Sequence, residues 1–112
     1  MAHPTALFFP IEKAAYLFTR KALPGAGGDK QKFWEDVMGF ASPENIREAL
    51  LSSVTLPDLY FQKTDAYGDR YQAVTEVCGH AGVSRWVRTG WIVRHNETIA
   101  RFVTAVPEKA RG

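Results

Sequence analysis

The chain has 112 residues, of which 46% are hydrophobic, 23% charged and 12% aromatic. This is the composition of an ordinary globular domain, and a chain of this length can form a core without disulfide bonds. Global disorder is therefore excluded. We expect a single domain over residues 1–112, with frayed ends at about residues 1–5 and 108–112.

Charge and cysteine content exclude further classes. The 14 Lys and Arg and 12 Asp and Glu residues leave a net charge of +2, which by itself indicates neither a nucleic-acid nor a membrane partner. The single cysteine, Cys78, excludes an internal disulfide and a multi-cysteine zinc site. The uncharged N-terminal stretch is too short for a membrane helix and lacks the basic start of a signal peptide. We expect no membrane partner, metal or cofactor, and a cytoplasmic location or delivery to a target cytoplasm within a larger protein.

Three helices are predicted in the first half of the chain. Pro10 precedes a helix whose apolar residues recur with helical spacing, at Ile11, Ala14, Ala15 and Phe18. After a loop rich in glycine and proline at residues 23–28, Asp29 can cap a second helix that ends at Gly39. Its apolar face holds Phe33, Trp34, Val37 and Met38.

Ser42 and Pro43 predict the start of a third helix, whose apolar face includes Ile46 and Leu50. Beyond Pro57 the pattern alternates and predicts four strands, at about Leu59–Asp65, Arg70–Cys78, Ser84–Arg94 and Thr98–Val106. Their short connections require antiparallel neighbours. The predicted fold class is therefore α+β, with three N-terminal helices packed on one face of a four-stranded antiparallel meander.

The register of the last hairpin predicts which side chains share a face. With Asn96 and Glu97 at its centre, Thr104 lies opposite Thr89, and Phe102 lies opposite Trp91. Pairing of the second and third strands through residues 79–84 adds Gln72, Val74 and Glu76 to this face and places Tyr71, Ala73 and Val77 on the other, which favours an open position for the Thr89 face. The third strand favours burial of the same face, because Val87, Trp91 and Val93 are its more apolar set. A one-residue bulge would reconcile them, although the sequence does not indicate its position.

Basic residues are concentrated in the predicted sheet. The segment Val77–Asn96 contains no Asp or Glu, and its arginines alternate with tryptophans. Such a pattern suits phosphate contacts and base stacking on single-stranded RNA, although arginines on strand edges also serve to discourage edge pairing. The predicted nucleic-acid-binding residues are Arg85, Trp91, Arg94 and Arg101.

Lys30 is the most unusual charged residue of the helical half. It falls on the apolar side of the second helix and in its first turn, where the helix dipole disfavours a cation. Its ammonium group could contact a phosphate, or it could extend past the aromatic rings to solvent. His80 and His95 lie at opposite ends of the third strand, about 30 Å apart, and cannot form an acid–base pair.

Several short motifs resemble a known group of proteins. They are Gly28-Asp29-Lys30-Gln31-Lys32-Phe33-Trp34, Met38-Gly39-Phe40, Tyr67-Gly68 with Tyr71, Thr89-Gly90-Trp91-Ile92-Val93 and Arg101-Phe102-Val103-Thr104-Ala105-Val106-Pro107. The chain resembles small, mostly uncharacterised bacterial domains that occur alone or at the C-termini of polymorphic and contact-dependent toxins. In element order, these domains are similar to the barnase, EndoU, colicin and RelE ribonuclease superfamily.

The resemblance implies metal-independent RNA cleavage by basic and hydroxyl side chains on the sheet and a preceding helix. It indicates Lys30, Thr104, Arg88 and His80 as catalytic residues, with Glu76 as a candidate for the base. The alternatives are a non-catalytic interaction module of the immunity or adaptor type and a small-molecule-binding α+β cone. The expected partners are RNA, or a cognate inhibitor or partner protein; the sequence predicts no oligomeric state.

Overall fold

A computed structural model describes residues 3–19 and 32–108. In these ranges the chain forms five strands, two α-helices, one π-helical turn and one 3-10 turn. They are β1 (Ala6–Phe8), α1 (Ile11–Thr19), the π-helical turn (Phe33–Val37), α2 (Pro43–Ser53), the 3-10 turn (Leu56–Asp58), β2 (Tyr60–Asp65), β3 (Gly68–Cys78), β4 (Ser84–Arg94) and β5 (Ile99–Pro107). The predicted glycine-rich loop and Lys30 lie outside the described residues.

The strands form one sheet in the order β1-β5-β4-β3-β2. Strands β2 to β5 are the predicted antiparallel meander, but β1 adds a fifth strand parallel to β5, with Ala6 opposite Ile99. The prediction of a four-stranded antiparallel sheet was therefore incomplete. A three-residue strand is too short to show alternation in the sequence, and its pairing depends on a strand more than ninety positions away.

The pairing of β1 also orders residues next to it. The Thr5 amide donates to the Thr98 carbonyl over 2.9 Å, and His3 Nε2 lies 2.7 Å from the Leu56 carbonyl oxygen. Residues 3 and 5 thus have hydrogen-bond partners in distant parts of the chain. At the other end, the Glu108 amide donates to Trp86 O over 2.8 Å, which continues the pairing beyond β5.

Both α-helices begin where the sequence predicts. The Ser42 hydroxyl accepts a hydrogen bond from the Asn45 amide, with Pro43 in the first turn of α2, and Ile46 and Leu50 are buried. The buried face of α1 differs from the predicted one. Ala14 and Leu17 are buried while Ile11 is 37% exposed, because contacts with α2 and β5 select the side of the helix that faces the core.

The described part of the predicted second helix is a π-helical turn. The Met38 amide donates to the Phe33 carbonyl over 3.0 Å, and apolar spacing over one turn does not distinguish this arrangement from an α-helix. The turn ends as predicted at Gly39, whose φ is +74°. A side chain at Gly39 would also place its Cβ within 2.7 Å of Ala81.

The helices and the π-helical turn pack on one face of the sheet. The Thr75 hydroxyl of β3 donates to Ser53 O at the end of α2, and Phe9 packs edge-on against Trp91 of β4. The core contains large side chains from both layers, including Leu17, Trp34, Phe40, Leu50, Tyr71, Val77, Val87, Trp91 and Phe102. No helix among residues 3–19 and 32–108 is long and apolar enough to cross a membrane.

A bulge decides which threonine faces the core. Phe102 lies opposite Trp91 as predicted, but the register shifts between Trp91 and Gly90, so Thr104 lies opposite Gly90 rather than Thr89. The extra residue on β5 is Val103. The predicted alignment of the two hydroxyls was therefore wrong, because the bulge moves Thr104 to the opposite face of the sheet.

The pairing of β3 with β4 completes the assignment of faces. Ala73 lies opposite Thr89, and Tyr71 lies opposite Trp91, so the alternate residues of β3 that include Val77 face the core. The sequence-based pairing placed these residues on the face away from Thr89, one position out of register. The Trp91 face is buried, as the apolar residues of the third predicted strand indicated.

Candidate nucleic-acid interface

The side of the sheet away from the helices is called the open face here. No helix in the described ranges covers it. It carries alternate side chains of three strands, namely Gln72, Val74 and Glu76 of β3, Trp86, Arg88, Ile92 and Arg94 of β4, and Arg101, Thr104 and Val106 of β5.

Arg88 occupies the centre of this face. It lies opposite Val74 on β3 and Val106 on β5. Glu76 and Thr104 are its diagonal neighbours, because they pair with Trp86 and Gly90, two residues before and two residues after Arg88 in β4. Diagonal neighbours on one face lie about 7–8 Å apart. A cation thus lies between a carboxylate on one side and a hydroxyl group on the other, across three adjacent strands.

A carboxylate from the end of β5 already binds Arg88. The Arg88 guanidinium donates to both oxygens of Glu108, with its NH2 group 2.7 Å from Oε1 and 2.8 Å from Oε2. The side chain of Arg88 nevertheless remains 45% exposed. Carboxylate and phosphate oxygens suit the same fork of N–H donors, and in this structure Glu108 uses the fork of Arg88.

Two other arginines near this face also bind carboxylates. Arg70 donates to Asp65 over 2.8 Å, and Arg101 donates to Glu97 over 3.0 Å. These hydrogen bonds hold the pKa of both carboxyl groups below their usual values, and the pair raises the pKa of Arg101. The segment Val77–Asn96 is thus rich in basic residues in the sequence, but residues from outside it partly neutralise the surface around it.

A groove crosses the open face above Gly90, which has no side chain to fill it. This groove, called the Gly90 groove, has a volume of about 510 Å³. Its side-chain walls are Gln62, Lys63, Asp65, Arg70, Gln72 and Val103. A smaller cavity of about 150 Å³ also has Val103 in its lining, together with three basic residues, Lys13, Arg94 and Arg101, and apolar residues that include Phe8 and Ile92.

The predicted catalytic residues are only partly brought together. Arg88 and Thr104 lie on adjacent strands of the open face. His80 lies in the turn between β3 and β4, where its ring packs edge-on against the buried ring of Phe40 at 5.0 Å, so it belongs to the helix side of the sheet. Lys30 lies outside the described residues and has no assigned position.

The predicted nucleic-acid-binding residues divide in the same way. Arg94 and Arg101 lie on the open face, and Arg101 is 5.3 Å from the ring centre of Phe8. Arg85 lies opposite Val77, on the helix side of the sheet, and donates to the adjacent Ser84 carbonyl. Trp91 is 1% exposed, so its predicted role in base stacking is not supported.

Trp86 is the tryptophan that the structure presents to solvent. It lies on the open face, two residues from Arg88, and is 38% exposed. Trp86 lies two residues from Arg88, and side chains two residues apart in a strand lie on the same face of the sheet. This spacing is the sequence signal that could have identified Trp86. Sequence analysis missed this assignment because it left open which face of the strand was buried.

Metal-ligating residues do not cluster in residues 3–19 and 32–108: no group of three His, Cys, Asp or Glu side chains there could hold a metal ion. Cys78 is exposed, and its Sγ lies 3.2 Å from the Ser84 hydroxyl oxygen. Neither observation adds a catalytic group to the open face.

Comparison with known proteins gives a family but no activity. No curated protein and no solved structure matches the chain. A family described as a domain of unknown function (DUF6883) matches residues 14–109, which include α1 from Ala14 onward, all of α2 and strands β2 to β5. This match shows no link to toxins or ribonucleases. The chain therefore belongs to the DUF6883 family of domains.

Proposed function

We propose that this domain binds single-stranded RNA on its open face and cleaves the RNA backbone there without a metal ion. The observation that carries the proposal is the position of Arg88, at the centre of the open face with Glu76 and Thr104 as diagonal neighbours. Basic side chains and Trp86 around this centre would hold phosphates and stack on a base. The resemblance to domains that occur at the C-termini of toxins, whose element order is similar to that of ribonucleases, favours the same activity.

In the proposed reaction, the 2′-hydroxyl oxygen attacks the adjacent phosphorus while Glu76 takes the hydroxyl proton. The bond from phosphorus to the 5′-oxygen breaks, and water supplies the proton to this leaving oxygen. The products are a 2′,3′-cyclic phosphate and a 5′-hydroxyl end. Arg88, released from Glu108 by the incoming phosphate, stabilises the developing negative charge, and Thr104 orients the phosphate.

A cleavage assay tests the proposal. End-labelled single-stranded RNA should yield 2′,3′-cyclic phosphate ends, whereas the matching DNA, which lacks the attacking hydroxyl group, should remain intact. We expect Arg88→Gln and Glu76→Gln each to reduce cleavage by about 100-fold. Arg85→Gln is the matched control, because Arg85 lies on the same strand but on the other side of the sheet. If purified protein cleaves no RNA, the proposed activity is wrong.

A protein-interaction module is the second candidate, and the edge of the sheet favours it. β2 is an edge strand, and it presents Tyr60 and Phe61 at 45% and 44% exposure. Exposed edges with large apolar side chains bind partner strands by backbone pairing. A stoichiometric protein partner that is captured by the native chain and lost in the Tyr60→Lys, Phe61→Lys double variant would favour this function over RNA cleavage.

A further inference from the structure

We propose that the Gly90 groove is a nucleotide subsite, which binds one ribonucleotide unit with its phosphate on Lys63 and its base edge on the side-chain amides of Gln62 and Gln72. The inference extends the proposed function by assigning a base-recognition position within the path of the RNA. It depends on that function for its role, but binding to the groove can be measured independently.

Gly90 is the first argument, because its backbone conformation does not require glycine: its φ is not positive. A Cβ added to it would meet only Thr104, with a tight contact of 3.3 Å to Cγ2, which is a side-chain atom, and 3.9 Å to the carbonyl oxygen. Glycine inside a strand weakens the strand, and it often marks a bulge or a place where a ligand approaches the backbone closely. Gly90 has both features, because it flanks the register shift with β5 and lines the groove.

The size of the groove is the second argument. Its volume of about 510 Å³ lies within the range of about 300–1,000 Å³ that is typical of small-molecule sites. Gly90 of β4 lines the groove with backbone atoms only, which leaves space for a planar base against this part of the strand.

The walls supply groups that match the edge of a base. The Gln72 side-chain oxygen lies 3.3 Å from the Tyr60 hydroxyl, which donates to it and thereby orients the amide. Gln62 lies at the bulge between Phe61 and Lys63, where the strand departs from regular pairing. A side-chain amide both donates and accepts, as the edges of bases do, and pairs of such contacts distinguish one base from another.

Charge is the last argument, and it indicates an anionic ligand. Asp65 in the groove is bound by Arg70. Lys63 makes no ion pair with any residue of the described ranges and is exposed at the rim. The groove therefore has an excess of positive charge at one wall and neutral amides beside it, which fits a phosphate joined to a polar ring.

Nuclear magnetic resonance tests the subsite directly. The 15N-labelled protein is titrated with 5′-AMP, 5′-GMP, 5′-CMP and 5′-UMP, and in parallel with ribose 5-phosphate and inorganic phosphate. We expect at least one nucleotide to shift the side-chain amide signals of Gln62 and Gln72, with a Kd on the order of 1 mM, as befits a single subsite. Phosphate and ribose 5-phosphate should leave these amide signals in place.

Gly90→Val should raise that Kd at least about tenfold, because the new side chain fills the groove, while valine suits a strand. Val74→Ile is the matched control, since it enlarges a side chain of the open face outside the groove walls. Should Gly90→Val not fold, Gln72→Leu and Lys63→Gln at the groove wall test the same contacts and should each weaken nucleotide binding.

Each result decides the inference. Equal amide shifts with phosphate alone, no shift with any nucleotide, or unchanged binding in variants that fold would overturn the subsite. The proposed function fails in a different way, through the absence of RNA cleavage in native protein. Nucleotide binding in the groove without cleavage would support the subsite and contradict the enzymatic role.

Discussion

The two sides of β4 show how one strand serves two purposes. On the helix side, Val87, Thr89 and Trp91 are almost completely buried, and the Trp91 indole N–H donates to the Thr89 hydroxyl over 2.8 Å. On the open face, Trp86 and Arg88 remain partly exposed. Polar atoms on the helix side are therefore used within the core, whereas Arg88 on the open face is partly exposed and bound to the Glu108 carboxylate.

The comparison also explains the difference between local sequence charge and surface charge. The segment Val77–Asn96 contains no carboxylate. Two carboxylates from later in the chain nevertheless bind arginines of the sheet, Glu108 at Arg88 and Glu97 at Arg101. Binding of a polyanion to this face would therefore include displacement of carboxylates, in addition to attraction by cations.

The largest expected effect comes from the two tryptophans. Trp91→Ala should reduce the free energy of unfolding by about 3–5 kcal/mol, because it leaves a cavity between the sheet and the helices. Trp86→Ala should cost about 1 kcal/mol or less, because its side chain is partly solvated. Urea unfolding followed by circular dichroism measures both. Equal losses would contradict the assignment of the two faces.

The threonines provide a second, smaller contrast. Thr89→Val should reduce stability by about 1–3 kcal/mol, because it leaves the buried Trp91 indole N–H without its acceptor. The hydroxyl of Thr89 also donates to Ala73 O over 3.0 Å, and this bond would be lost too. Thr104→Val, on the open face, should change stability by about 0.5 kcal/mol. Thermal unfolding measures both losses of stability. A larger loss for Thr104→Val than for Thr89→Val would contradict the burial assigned to the two threonines.

Glu108 provides a test of the open face itself. Glu108→Gln should strengthen binding of a single-stranded RNA by about two- to fivefold at low salt, because Arg88 then loses a competing carboxylate. Fluorescence anisotropy at several salt concentrations measures the change. Glu48→Gln on α2 is the control, since it alters net charge equally on the helix layer. Equal gains in both variants would indicate a general charge effect and contradict the role of Arg88.

The smallest expected effect is a shift in the pKa of Glu97, in the turn between β4 and β5. Arg101→Gln should raise the pKa of Glu97 toward its ordinary value of 4.5, because the hydrogen bond from Arg101 is the main cause of the lowering. The native pair therefore stabilises the fold fully at pH values above 4.5. This contribution is lost as the pH falls through the lowered pKa that Glu97 has in the folded protein. Carboxyl 13C signals recorded against pH measure the shift. An unchanged midpoint would contradict the pairing.

Much of the fold follows from local patterns. Ser42 and Pro43 predict the start of α2, and the ends of β4 agree with the predicted strand. These features depend on neighbours within a few residues, so they can be predicted from the local sequence. β1 was missed because it exists through pairing with β5 at the far end of the chain.

The candidate site was less predictable. Arg88 and Thr104 were predicted as site residues, and the structure places them on one face, but Trp91 was chosen where Trp86 is the accessible ring. The Gly90 groove was not recognised, because a groove above a strand is formed by side chains from three strands together. His80 was predicted to act together with Arg88 and Thr104, but it lies on the helix side of the sheet and they lie on the open face.

Taken by itself, the sequence determined the α+β class, the four strands of the meander and the concentration of arginine in them, because periodicity, turns and composition are local properties. The tertiary structure decided which face of the sheet is covered. It placed Thr89 in the core together with Val87 and Trp91, and a single extra residue on β5, Val103, then placed Thr104 on the open face. Because successive side chains alternate across a sheet, a shift of one residue reverses burial, and only the packed structure reveals it.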